Sequence, residues 1–286
     1  LKRPKEVVFE YPQPPAPYPP SQRSGAFIGP SGVGKTTTAI SLLMGPYRHC
    51  YSRVYVLFLP SCAPGVDPAW DAWRKHVRME MKVPDEENDG DRGNLTLWKI
   101  IERHKKVNAH LKAKKHKKGY VVLVLIDDFA DQGDKVMHSS TNILTSLFVR
   151  GRHLGCACWL LTQKLRVVSL ICRTNFCWML IWRLRNSKEL FTILEALDAL
   201  VNRKLLNEMY RIATSEKHSF WYINLLNEQD QMFFKNFEHR FAIINLYLTK
   251  MRYHRAPKRR GGFVNTVIHH GREFMRHTDA FVRQFG

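Results

Sequence analysis

"GPSGVGKTTTAI", residues 29–40, follows the short apolar run "GAFI", residues 25–28, and its reading decides the fold. Gly29, Gly34, Lys35 and Thr36 match the pattern G-x-x-x-x-G-K-[ST]. Such a loop needs glycine so that backbone N–H groups can turn inward around phosphates, and the helix that follows points its positive end at them. The pattern predicts a strand over Gly25–Ile28, a loop, and a helix from Lys35 to about Met44. Gly29, Pro30, Ser31, Gly32, Val33, Gly34, Lys35, Thr36 and Thr37 are the expected contacts of a bound nucleoside triphosphate, taken here to be ATP. Lys35 places a point charge on the β- and γ-phosphates, and the Thr36 hydroxyl is a ligand for Mg²⁺. The loop does not say what the energy is used for.

Working outward, apolar runs alternate with amphipathic ones. Strands are predicted at 54–59 ("VYVLFL"), 120–126 ("YVVLVLI"), 156–161 ("CACWLL") and 177–184 ("CWMLIWRL"). Helices are predicted at about 141–152, 187–200 and 203–213, and a charged helical region at about 66–118. "SFWYINLL" and "QMFFKNF", separated by "NEQD", read as a closing hairpin. The run at 120–126 is apolar on both faces, as a central parallel strand is. Strands alternating with helices predict an α/β fold with a mainly parallel sheet covered on both faces. Three parts follow: a proline-rich leader at 1–23, an ATPase domain at 24–250 with its charged helical insertion at about 60–118, and a basic tail at 251–286. The leader, "YPQPPAPYPP" at 11–20, is expected as a stiff extended linker, with a docking segment as the alternative, because proline removes donors and holds an extended form. The acidic, turn-rich "PDEENDGDRGN" at 84–94 is expected as a surface loop, and the tail as loosely held.

"VVLVLIDDFAD" ends a buried strand in Asp127 and Asp128. A carboxylate at that tip can hold the metal shell, and that is Asp127. The next one can activate a water for attack on the γ-phosphate, and that is Asp128. A kinase that must exclude water has less use for the second acid. "WLLTQK" ends the following strand, which puts Gln163 at its tip, where an amide can sense the γ-phosphate and align the water. An extra strand between phosphate loop and acidic strand marks the ASCE division of these ATPases, which work as oligomeric motors. The base-reading motif N-K-x-D of GTPases is missing from the sequence.

With 286 residues, 45 lysines and arginines against 25 acids, and a net charge of +20, the chain favours a polyanionic partner. Residues 102–119 hold seven lysines and one arginine. Lys112, Lys114, Lys115, Lys117 and Lys118, together with Lys258, Arg259 and Arg260 of the tail, are candidate phosphate-backbone contacts. Trp70, Trp73 and Trp98 fall at spacing that suits core packing rather than base stacking. The six cysteines form no C-x-x-C pair and read as reduced core residues in an intracellular setting. No apolar run is long enough to span a bilayer, and "LKRPKEVVFE" has no secretory apolar region.

"FIGPSGVGKTTTAISLL", "VLVLIDDFAD", "LFVRGRHLGCACWLLTQ", "ICRTN" and "RLRNSKEL" occur in that order. Together they resemble the poxvirus-type genome-packaging ATPases of large DNA viruses, within the FtsK–HerA superfamily of DNA pumps. The resemblance covers roughly residues 24–200. It implies a RecA-like ATPase that forms a homo-oligomeric ring, threads double-stranded DNA into a preformed capsid, and meets capsid or vertex proteins in the virion or at the host-cell assembly site. Asp128 stands where many relatives carry glutamate. Such rings complete each active site with an arginine from the neighbouring subunit. Arg150, Arg152, Arg173, Arg183 and Arg185 are candidates, with Arg173 first and Arg185 second. A DNA pump of a mobile element and a nucleotide-gated structural protein are the alternatives.

Overall fold

The computed structural model describes residues 9–57, 68–79, 93–127, 143–243 and 264–268. Among these the strands form one nine-stranded sheet, in the order β2-β3-β4-β1-β5-β6-β7-β8-β9. The strands are β1 Gly25–Ile28, β2 Arg53–Leu57, β3 Val122–Asp127, β4 Cys156–Thr162 and β5 Trp178–Trp182, then β6 Phe220–Asn224, β7 Phe233–Lys235, β8 His239–Ile243 and β9 Val264–Ile268. The helices are α1 Lys35–Met44, α2 Pro68–Met79, α3 Gly93–Ala113, α4 Ile143–Leu154, α5 Leu170–Thr174, α6 Ser187–Leu197 and α7 Arg203–Ala213. The first five strands are parallel, and β6 to β8 are antiparallel to their predecessors. This is the mainly parallel α/β arrangement expected, with β4 between β1 and β3.

Strands β1, β3, β4 and β5 are buried along their whole length, because helices cover both faces. Side chains leave a strand on alternate faces, so two cores result. Ala26, Ile28, Cys156, Cys158 and Leu160 pack on one face with α3, α4, α6 and α7. Phe27, Ala157, Trp159, Leu161 and Trp178 pack on the other with α1 and Trp70 of α2. The second face is an aromatic layer: Phe27 lies 5.6 Å from Trp159 and 5.3 Å from Trp178, and Trp159 lies 5.0 Å from Tyr47, centroid to centroid.

The layer is closed at Gly25, where an added Cβ would meet the Trp178 ring at 2.2 Å. Gly25→Ala is therefore expected to displace that indole and cost about 1–3 kcal/mol. Its melting temperature should fall by roughly 2–4 °C for each of those kcal/mol, and an unchanged melting curve would show that the layer yields freely.

The leader differs from the linker expected. Residues 9–22 lie against the domain. Glu10 pairs with the turn after α3: its N–H donates to Lys117 O at 2.8 Å, and Gly119 N–H donates to Glu10 O at 3.0 Å. Further along, Tyr222 Oη donates to Pro17 O at 2.8 Å and Tyr47 Oη to Pro19 O at 2.7 Å, while the Tyr18 ring sits 4.7 Å from Phe237. Proline carries no N–H but keeps its carbonyl. A proline-rich strand can thus lie on an aromatic layer without burying donors, and tyrosine hydroxyls of the layer satisfy its acceptors.

Two other expectations shift. The hairpin of β6 and β7 does not close the sheet, since β8 and β9 extend it, and β9 lies within the stretch read as a loose tail. Residues 58–59 of the second predicted strand, most of the acidic loop, Cys62, and Lys258, Arg259 and Arg260 lie outside the described residues. The described cysteines Cys50, Cys156, Cys158, Cys172 and Cys177 are free thiols. Burial pushes Cys156 up to about 12, so the thiolate that oxidation requires is scarce. No described helix is long and apolar enough to cross a membrane.

Candidate functional site

Strand β1 delivers the glycine loop to the C-terminal edge of the sheet. Its register sets Ile28 beside Thr162 of β4 on one flank and Ile181 of β5 on the other. Gly29 N–H donates to Thr162 O at 3.1 Å, which fixes where the loop leaves the sheet. Gly32 and Gly34 have φ of 78° and 99°, left-handed values that a side chain would strain. They turn the loop into the first turn of α1, which carries no acid to oppose an anion.

The Lys35 side chain folds back beneath this loop. Its Nζ donates to Gly29 O at 2.9 Å and Pro30 O at 3.0 Å, and the residue is only 8% exposed. A desolvated ammonium exerts a far stronger field than one in water. One residue on, Thr36 Oγ1 donates to Asp127 Oδ2 at 3.1 Å. Asp127 ends β3, two strands from β1, and is 3% exposed. A hydroxyl and a carboxylate converging at the loop's mouth are hard oxygen ligands, and they fit Mg²⁺, which takes one or two protein oxygens besides phosphate and water. Among the described residues no cluster of three His, Cys, Asp or Glu competes for a metal.

The same carboxylate oxygen has a second donor that sequence reasoning missed. Trp70 Nε1 donates to Asp127 Oδ2 at 2.9 Å. Trp70 is fully buried in the aromatic-face core, so its core reading stands, but its indole N–H also orients the acid. No local signal could have found this, because 57 residues separate the pair. Trp98, read as core, is instead 50% exposed, with Lys105 Nζ 5.4 Å above its ring. Trp73 is half-buried against the aromatic-face core.

Gln163 follows the last residue of β4 and is half-buried. Because β4 lies between β1 and β3, it stands at the edge between the loop and Asp127. Asp128 lies outside the described residues.

The arginines separate. Arg150 and Arg152 are exposed on the half of α4 that leads into the N-terminal end of β4, the edge opposite the loop. Arg173 sits on α5, in the crossover from β4 to β5, and its Nε is buried without a hydrogen-bond partner. The chain then returns to that opposite edge, where Cys177 N–H donates to Ser24 O at 2.9 Å. Arg183 and Arg185 instead line a cleft of about 390 Å³ with Ser31, Gly32 and Val33 of their own loop. Residues 214–219 form its far wall. His218 Nδ1 lies 3.1 Å from Val33 O. A carbonyl only accepts, so Nδ1 carries the hydrogen.

Lys112, Lys114, Lys115, Lys117 and Lys118 are all exposed at the turn between α3 and β3, at the edge away from the phosphate loop.

The model of the family described as "Poxvirus A32 protein" matches residues 23–243. Among solved structures, the chain is similar to the genome packaging NTPase B204 of Sulfolobus turreted icosahedral virus 2, at 13% identity over 72% of this chain and 93% of that one, with a TM-score of 0.46. It is similar to ATPases 2 and 3 of EssC from Geobacillus thermodenitrificans, at 16% identity over 62% of this chain, with a TM-score of 0.47, and spans 35% of that chain's length. The pCW3 conjugation coupling protein TcpA shows 14% identity over 71% of this chain and 58% of that one, with a TM-score of 0.44. No curated protein matches the sequence.

Proposed function

The chain belongs to the Poxvirus A32 protein family, and from that premise we propose that it is an ATPase that translocates double-stranded DNA and packages a viral genome into a preformed capsid. The observation that supports this best is the convergence of Lys35, Thr36 and Asp127 at the mouth of the glycine loop, with β4 and Gln163 set between loop and acid. The net charge of +20 suits the polyanion such a motor grips.

In this reading the N–H groups of residues 31–37 bind the phosphates, and Lys35 neutralises charge on the β- and γ-phosphates. Thr36 and Asp127 hold Mg²⁺, which when bound offsets phosphate charge. Gln163 aligns a water in line with the γ-phosphorus. Asp128 takes a proton from that water as its oxygen bonds to phosphorus and the bridging oxygen leaves with ADP, which frees inorganic phosphate. Arg173 of a neighbouring subunit in a homo-oligomeric ring supplies the remaining cation. The ring works with capsid or vertex proteins at the site of virion assembly. The exposed lysines of the α3–β3 turn hold the DNA backbone without reading bases.

ATP turnover is expected to rise with long double-stranded DNA and to lose that stimulation as salt rises. With six to ten phosphate contacts, DNA affinity should fall by about 10³–10⁵ between about 50 and 200 mM salt. Turnover indifferent to DNA at both salts would overturn the translocation reading.

A further inference from the structure

The resemblance offers Arg185 as a cation for the neighbouring subunit's nucleotide. Its position in the fold argues for a different role. The glycine loop has two flanks along the C-terminal edge of the sheet. On the β4 side lie Gln163 and Asp127, which are the groups suited to the reacting phosphate. On the β5 side lies the 390 Å³ cleft. The register is explicit: Ile28 pairs with Ile181, so the chain above Trp182 rises beside Gly29, and Trp182 pairs with Phe220, so residues 214–219 reach the same edge.

A nucleoside triphosphate whose γ-phosphate faces Asp127 must extend its other end away from β3 and β4. That direction leads into the cleft. We infer that this cleft takes the nucleoside half, base and ribose, of the chain's own bound nucleotide, with Arg183 and Arg185 as its recognition residues. The inference rests on the phosphate-loop reading proposed above.

Three features suit that occupant. Arg183 and Arg185 are exposed on the cleft wall, and a guanidinium plane both stacks on a base and donates to ribose oxygens. Glu216, the acid of the far wall, is paired with Lys235, which holds its carboxyl below the usual range and offsets a charge that would repel the anion. The far wall is also tied to the loop: His218 Nδ1 donates to Val33 O at 3.1 Å, and His218 O accepts from Trp182 Nε1 at 3.1 Å. The cleft is thus built from the phosphate loop and keeps its shape with it.

The test compares ATP with inorganic tripolyphosphate, which has the phosphates but no nucleoside, by calorimetry on the full chain. Arg185→Ala should weaken ATP by about tenfold, as expected for loss of a charge-assisted contact, and leave tripolyphosphate affinity unchanged. Ser215→Trp, which fills the cleft while retaining both arginines, should do the same. Equal losses for both ligands in Arg185→Ala would place that arginine on the phosphates and overturn the assignment. Unchanged affinity with lost turnover, rescued by mixing with Lys35→Ala subunits, would return it to the trans role and also overturn it. Unchanged ATP affinity in both variants would empty the cleft of any part in binding. Failure of the wild-type chain to bind either ligand would instead defeat the phosphate-loop reading beneath it.

Discussion

Lys35→Ala is expected to lower ATP turnover by about 10²–10³ or more, the cost of removing one preorganised charge from a developing anion. Burial is the first reason. The ammonium is 8% exposed and lies under the loop, on the carbonyls of Gly29 and Pro30. In so dry a place its field is poorly screened, and water entering the vacated volume brings dipoles but no net charge. The variant also leaves two loop carbonyls without that donor, so ATP affinity should fall with the rate. The melting temperature should change little, since the apolar core does not include this side chain. Mixing supplies a second reading. If Arg173 acts across a subunit boundary, Lys35→Ala subunits mixed with Arg173→Ala subunits should regain turnover that neither has alone. Normal turnover in Lys35→Ala would refute the phosphate-loop assignment, and mixtures that never complement would remove Arg173 from the neighbour's site.

The second large effect is expected at Asp127. Asn has the same shape and can still accept from Thr36 Oγ1 and Trp70 Nε1, which now lie 3.1 and 2.9 Å from Oδ2. The fold should survive, but the charge that would hold a divalent cation is gone. Turnover of Asp127→Asn should drop by about 10²–10³, and the Mg²⁺ needed for half-maximal rate should rise. Trp70→Phe isolates the indole's part. It keeps an aromatic ring in the core and removes the N–H that orients the carboxylate. Groups that orient a metal ligand typically contribute about 10–100-fold in affinity or activity. Magnesium titrations, followed both by rate and by calorimetric binding of the Mg²⁺–nucleotide, should therefore separate Trp70→Phe from wild type. Coincident titrations would make the indole bond a packing detail. An Asp127→Asn protein with wild-type magnesium dependence would move the metal elsewhere.

These two residues also mark how far the sequence can be read. The glycine loop is legible because its function is local: phosphates are wrapped by consecutive N–H groups, so glycine, lysine and threonine must stand at fixed spacing. Strand β1 and helix α1 fall on the predicted residues for the same reason. Asp127 is legible because a long apolar run that ends in acid reads as a buried strand with a carboxylate at its tip, and the structure carries that run as β3. Trp98 is not legible in this way, since periodicity alone cannot tell which face of a helix meets the core. In the leader, proline's missing donor suggests a bar to packing. Against a layer rich in tyrosine hydroxyls it is what permits packing.

By itself, the sequence determined the class of fold, the phosphate loop, and the identity of the acid strand. All three are properties of short contiguous segments, where chain geometry leaves little freedom. Only the tertiary structure decided that β5 flanks the loop on its other side, that an indole 57 residues away orients Asp127, and that Arg185 shares a cleft with Val33 and His218 of its own chain. Those facts depend on strand order and register. Both are set by how the two faces of the whole sheet are buried, which no single segment encodes.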